Sequence, residues 1–249
     1  MNQRVFTVAE NEKIARGTYR MVLTGDVSDI TSPGQFINIK LDGFFLRRPI
    51  SVSDADADAG DGHMTIIYKV VGGGTEYMTT LERGVKLDVL SGLGNGFDVS
   101  SCADSAVLIG GGAGVAPLYM LAKQLIKLGK RVTCALGFGT AEEIFLADEL
   151  RALGCEVNIA TVDGSAGVKG FVTDVMKGDE DYIYVCGPEP MMKAVYKKSH
   201  ADGQYSFESR MGCGFGACLC CTCKTVTGYK RICKDGPVLR REEILWEKD

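Results

Sequence analysis

Over the first hundred residues, apolar and polar positions alternate in short bursts at Val5–Ala9, Tyr19–Thr24, Phe36–Leu41, Met64–Val71 and Lys86–Leu90. A period of two turns one face of each burst toward a core and the other toward water, so each reads as a half-buried strand. Turn-rich stretches such as Thr31-Ser32-Pro33-Gly34 separate them, and a small antiparallel barrel is expected. The acidic stretch from Asp54 to Gly62 reads as an exposed hairpin loop without the EF-hand calcium pattern. From Ser105 the pattern changes. Continuous apolar runs (Ala106–Ile109, Val132–Leu136, Val157–Val162, Tyr182–Cys186) alternate with helical periodicity at Pro117–Leu128, Ala141–Leu153 and Pro190–Ser199. That alternation predicts a doubly wound parallel α/β sheet with right-handed crossovers. The expected division is a β-barrel over 1–101, an α/β domain over 102–206 and a short cysteine-rich module over 207–249.

Composition narrows the function. With 249 residues, 45 % hydrophobic and 24 % charged, the chain has room for two modest domains and an appendage. A net charge of −4 makes no electrostatic case for nucleic acid or an anionic membrane. The opening Met1-Asn2-Gln3-Arg4-Val5-Phe6 has no apolar signal core, and no eighteen apolar residues run together. A cytoplasmic setting is therefore expected, where thiols serve metals or chemistry rather than disulfides.

Six of the ten cysteines lie between Cys213 and Cys233. Cys213, Cys218 and Cys221 make C-x4-C-x2-C, the opening of a plant-type [2Fe–2S] ligand set that a distal cysteine completes. Cys233 is the expected fourth ligand, returned by a short hairpin through Thr227-Gly228-Tyr229. Gly212, Gly214 and Gly216 allow positive φ and close approach of amide N–H groups to sulfur. A zinc knuckle remains an alternative, although its usual pairs are closer together. Cys220 and Cys223 stand as alternative donors. A Rieske centre is excluded, because His63 and His200, the two histidines, are remote from the cysteines.

Two further segments suit phosphates. Val107-Leu108-Ile109 leads through Gly110-Gly111-Gly112-Ala113-Gly114 to Pro117, a strand-to-helix turn that aims N–H groups at an anion. The next strand ends in Gly137-Phe138-Gly139-Thr140, with no Arg for a 2′-phosphate, which leans toward NAD over NADP. In the first half, Arg47-Arg48-Pro49-Ile50-Ser51 sets guanidinium groups beside a hydroxyl. Gly72-Gly73-Gly74-Thr75 precedes a helical stretch, Glu76–Arg83, so either a pyrophosphate site or an ordinary cap at Thr75 is expected.

The order R-P-x-S, then G-G-x-G-x-x-P, then Cys186-Gly187-Pro188 resembles the ferredoxin–NADP reductase superfamily over about residues 5–200. With E-S-R-M-x-C-G-x-G-A-C-x-x-C and C-x-D-G-P added, the whole chain resembles the electron-transfer subunits of type B dihydroorotate dehydrogenases. The resemblance implies FAD held by Arg48, Pro49, Ile50 and Ser51, lined by Ile67, Tyr68 and Lys69, and capped at its pyrophosphate by Gly74 and Thr75. Ile50 stands where many superfamily members carry an aromatic residue. NAD is implied over Gly112, Gly114 and Pro117, with Cys186, Gly187 and Pro188 near the nicotinamide; Cys186 either positions that ring or simply packs. Cys213, Cys218, Cys221 and Cys233 are implied to hold the [2Fe–2S] cluster. No catalytic acid or base is expected on this chain. The resemblance also implies an FMN-containing, dihydroorotate-oxidising partner subunit, a heterotetramer of two of each, docking through the cluster module, and a place in pyrimidine biosynthesis. An NADH-dependent reductase component serving another acceptor, and a non-catalytic redox-sensing or zinc-binding module, are the rival readings.

Overall fold

A computed structural model of the chain describes residues 1–58, 60–177 and 181–246. Ala59 of the acidic stretch and residues 247–249 of the C-terminal segment lie outside the described residues. Six strands, β1 (Asn2–Ala15), β2 (Thr18–Thr24), β3 (Phe36–Ile39), β4 (Arg48–Asp56), β5 (His63–Lys69) and β6 (Lys86–Leu93), close an antiparallel barrel in the order β1-β2-β5-β4-β3-β6. Alternate residues fill it: Phe6, Val8, Met21, Leu23, Ile37, Ile39 and Ile66 are all fully buried in one cluster. Each such side chain contributes roughly 1.5–3 kcal/mol when removed from water.

β4 departs from the expectation of a loop over 54–62. Asp54, Ala55 and Asp56 pair with Thr65, Met64 and His63, so the hairpin turn begins only after them. Ala55 packs against the barrel core beside the buried Met64, while Asp54 and Asp56 lie on the other face, Asp54 matched by Lys123. The short helix α1 (Gly73–Met78) starts earlier than expected and ends by Thr79. Thr75 lies inside it, its Oγ1 accepting the N–H groups of Val71 at 2.9 Å and Gly72 at 3.2 Å.

The second half is a seven-stranded sheet in the order β10-β9-β8-β7-β11-β12-β15. Its members are β7 (Ser105–Gly111), β8 (Arg131–Phe138), β9 (Glu156–Thr161), β10 (Val168–Lys169), β11 (Tyr182–Cys186), β12 (Asp202–Ser206) and β15 (Val238–Arg240). All pairs are parallel except the last, β12 with β15. Period two divides the sheet's two faces. Leu108, Cys134, Leu136 and Tyr184 pack with α2 (Ala116–Lys127) and α3 (Ala147–Ala152), whereas Ile109, Ala135, Ile183 and Val185 pack with α4 (Glu189–Lys198). The helix expected over Ala141–Leu153 is broken. Leu146 turns left-handed at φ 60° so that Phe145 and Leu146 reach the core, which leaves a 3-10 turn over Ala141–Glu143 and an α-helix over Ala147–Ala152 only.

Helix α2 belongs to both halves. Leu118, Leu121 and Leu125 face the sheet, whereas Met120 joins the barrel cluster. Across that seam Ser53 Oγ donates to the Ala116 carbonyl at 2.9 Å, and Lys123 meets Asp54 at 2.7 Å. The remaining chain forms the hairpin β13 (Thr222–Thr225) and β14 (Gly228–Arg231), then α5 (Ile232–Asp235), before β15 joins the large sheet. Among the described residues no helix is long and apolar enough to cross a membrane.

Candidate functional site

β4 and β5 of the barrel, the β7–α2 turn and the segment after β12 enclose a cleft of about 370 Å³. Arg48, Pro49, Ile50, Ser51, Ile67, Tyr68, Lys69 and Thr75 all line it, with Ala113 and Cys186 from the sheet domain opposite. The two arginines of the sequence motif separate here. Arg47 is bound to both oxygens of Asp88 at 3.0 Å and to backbone carbonyls, so it holds β3, β4 and β6 together. Arg48 lies over Phe44, 4.8 Å from the ring centroid, and packs on Gly74, where a Cβ would stand 2.0 Å from its Nε. Gly74 therefore lets the guanidinium settle beside the start of α1, two groups that attract phosphate.

Tyr68 turns its ring into the barrel, stacked 5.7 Å from Tyr19 and donating to Asn11 at 2.9 Å. Burial pushes its hydroxyl up to about 12. Ile67 and Lys69, one residue to either side, project toward the cleft, and Lys69 pairs with Glu143 at 3.5 Å. Cys186 is buried at the far wall; burial, with Glu208 adding and Ser206 opposing, pushes its thiol up to about 12. It is a neutral thiol there, shaped for packing and contact rather than for nucleophilic attack.

A second cavity, about 480 Å³, opens at the carboxyl ends of β7 and β8, with Gly111, Gly112, Phe138, Phe171, Pro188 and Met191 around it. None of its lining residues is charged. Gly112 has φ +51° with open space where a Cβ would be, so its backbone can meet a ligand directly. Gly114 and Gly187 serve packing instead. A Cβ on Gly114 would lie 2.3 Å from the Cys186 carbonyl oxygen, and one on Gly187 2.7 Å from Met191 Cε. Pro117 is buried in the first turn of α2. Carboxyl-end crevices of this kind are where open α/β sheets bind nucleotides.

The cysteines form two pairs rather than one ring. Cys213 Sγ accepts the N–H groups of Phe215 (3.5 Å), Ala217 (3.2 Å) and Cys218 (3.4 Å), while Cys213 N–H donates to Cys218 Sγ at 3.3 Å. The second pair is Cys221 and Cys233, both buried, with Cys233 N–H donating to Cys221 Sγ at 3.4 Å. Burial alone raises the Cys213 thiol, but the N–H donors and Cys218 bring it down to about 6. Burial and the Cys221 thiol push Cys233 up to about 12, a proton that metal binding would displace. Among the described residues no three His, Cys, Asp or Glu side chains meet around a single ion. Two such pairs would supply the four thiolates that a [2Fe–2S] cluster takes.

The glycines expected to shape this loop divide by cause. Gly214 and Gly216 have φ of +80° and +90°, whereas Gly212 is small because a Cβ would approach Cys218 Sγ to 3.0 Å. Cys220 points to solvent and Cys223 packs in the cluster that contains Trp246, so neither shares the hydrogen bonds of the two pairs. The hairpin expected to return Cys233 is β13–β14, with Gly228 at φ +118°.

Sequence reading missed the segment that joins these sites. Ser206, Phe207, Glu208, Ser209 and Met211 line the cleft, and two residues later the chain reaches Cys213. Burial raises the Glu208 carboxyl. The E-S-R-M opening of the cysteine motif was the available signal, but it marked the cluster module and not the wall of the cleft.

Residues 208–245 match the iron–sulfur cluster binding domain of dihydroorotate dehydrogenase B, and 108–197 match the oxidoreductase NAD-binding domain. The dihydroorotate dehydrogenase B (NAD(+)) electron transfer subunit of Fusobacterium nucleatum subsp. nucleatum is 45 % identical, covering 96 % of this chain and 96 % of its own. That of Geobacillus sp. (strain WCH70) is 43 % identical over 98 % and 99 %. Among solved structures, the NADH-dependent reduced ferredoxin–NADP oxidoreductase, described for flavin-based electron bifurcation, superposes with a TM-score of 0.87. It is 31 % identical, over 97 % of this chain and 90 % of that one. FAD, NAD and a [2Fe–2S] cluster are the cofactors that this fold and these domains carry. Full-length similarity, the two domain matches and the paired thiols beside the cleft together place the chain in the family of dihydroorotate dehydrogenase B electron transfer subunits.

Proposed function

We propose that this chain carries electrons from a dihydroorotate-oxidising catalytic subunit through [2Fe–2S] and FAD to NAD+, within pyrimidine biosynthesis. The observation that carries the reading is the direct run of chain from the cleft, at Met211, to the first thiol, at Cys213. When bound, the cluster passes electrons singly and FAD exchanges them with NAD as a hydride. The residues bind and orient. Arg48 and the start of α1 hold the flavin phosphates, while Ser51, Ile50 and Pro49 shape the ring site. Gly112 admits the nicotinamide dinucleotide, and Cys186 lines the cleft as a neutral contact. Cys213, Cys218, Cys221 and Cys233 would hold the cluster through their four thiolates.

The relatives' shared designation as electron transfer subunits supports a catalytic partner subunit; we further propose that this partner contains FMN and joins the chain in a two-plus-two assembly in the cytoplasm. It docks on the cluster face, where Phe215 is 41 % and Leu219 60 % exposed and Lys234 is open to solvent. The test is anaerobic co-purification with that partner. Dihydroorotate added to the complex bleaches the cluster and flavin absorbance and yields NADH on addition of NAD+. Reduction by NADH alone, with no response to dihydroorotate, makes the chain a reductase for another acceptor.

A further inference from the structure

We propose that Asn38 is a positioning residue whose side-chain amide fixes the cluster loop at Cys213 against the strands that carry the flavin cleft. The proposal rests on Cys213 being a cluster ligand, as read above. Ile37 and Ile39 of β3 belong to the barrel interior, so the two-residue period sends Phe36 and Asn38 to the outer face. A barrel's outer face normally meets water, yet Asn38 is 1 % exposed. The cluster loop covers it.

Asn38 Nδ2 donates to the Cys213 carbonyl at 3.2 Å, across 175 residues of chain. Gly214 follows at φ +80°, and a Cβ there would stand 2.4 Å from the same Nδ2. The backbone of Asn38 pairs with Pro49 of β4, and its carbonyl accepts from Arg47, which is locked on Asp88. One residue thus links the cleft strand β4, through its β3 partner, to the backbone of the first cluster ligand. Its Oδ1 is buried without a hydrogen-bond partner. An orphaned buried acceptor is destabilising, a penalty that an apolar residue of similar size would avoid. The amide therefore gives this position a direction rather than packing. Its bond also polarises the peptide between Cys213 and Gly214, which leads into the N–H groups of Phe215, Ala217 and Cys218 that meet the Cys213 sulfur.

The experiment uses full-length, anaerobically purified holoprotein and compares wild type with Asn38→Leu, Asn38→Asp and Gly214→Ala. Iron and acid-labile sulfide, the electron paramagnetic resonance of the reduced cluster, its midpoint potential and iron loss to a chelator are measured. NADH-driven flavin reduction reports folding. Asn38→Leu is expected to retain the cluster but lose iron about fivefold faster, the equivalent of one neutral hydrogen bond of about 1 kcal/mol. Its resonance and potential shift from wild type, and Gly214→Ala, which pushes the loop from the other side, shifts them too. Where Asn38→Leu does not fold, Asn38→Asp carries the test with nearly the same shape. Wild-type resonance, potential and iron-loss rate in the Asn38 variants overturn the proposal while leaving the ligand reading intact. Wild-type protein without iron or sulfide overturns both.

Discussion

Cys186 at the end of β11 and Cys213 in the cluster loop carry the same thiol, but their surroundings drive it in opposite directions. Around Cys186 apolar packing removes water and supplies no donors strong enough to offset it, so the proton stays on at any ordinary pH. Around Cys213 three backbone N–H groups converge on the sulfur, and the thiolate is favoured near neutrality. The sheet domain is built by hiding side chains; the cluster loop is built by aiming its backbone. A ligand loop needs the second strategy, because metals take thiolates.

The sharpest way to break this contrast is to remove a sulfur from the loop. Cys218→Ser is expected to abolish the cluster, seen as lost iron and lost visible absorbance, while NADH still reduces the flavin. Cys220→Ser should leave the spectrum unchanged; the reverse pattern would show that the ligand register is shifted. In the sheet domain the equivalent insult is to backbone packing. Gly114→Ala places a methyl 2.3 Å from the Cys186 carbonyl oxygen and is expected to cost about 1–3 kcal/mol in denaturant unfolding.

Between the turn after β6 and the returning strand β15, Asn95 donates to the Val238 carbonyl at 2.9 Å and accepts the Val238 N–H at 3.0 Å. Asn95→Ala should destabilise the chain by about 1–2 kcal/mol and loosen the C-terminal segment, read as faster hydrogen exchange at Val238. The smallest effect belongs to Asp98, whose carboxyl is held low by Ser100 and then Ser101, with Arg240 contributing. A depressed folded pKa means stability that is present above the unfolded value of 3.8 and lost as pH falls below it. Asp98 is well exposed, so solvent screening keeps its contribution within about 1 kcal/mol. Asp98→Asn should flatten that part of the acid unfolding curve, and an unchanged curve would remove Asp98 from it.

Most of the architecture was legible because hydrophobic period reports burial. Five of the six barrel strands, and β7, β8, β9 and β11 of the sheet, announce themselves through it. β4 did not: Arg48, Pro49, Asp54 and Asp56 serve a cleft and an edge, so its strand pattern is overwritten by function. β12, reading Asp-Gly-Gln-Tyr-Ser, was invisible for a related reason, since Gln204 is buried by polar bonds to Asp98 and Tyr182 rather than by apolarity. At the site, cysteine spacing was readable because it is local. Asn38 was not, because its partner lies 175 residues away and only the closed fold brings the two together.

The antiparallel addition of β15 to β12 has a practical consequence for anyone dissecting the molecule. Cutting the polypeptide after residue 206 would strip a covering from the sheet's margin and leave β12 with open amide and carbonyl groups, an invitation to intermolecular pairing. The iron-bearing tail is thus no detachable cartridge. Swapping it for a foreign ferredoxin would require a substitute edge as well as a substitute ligand loop.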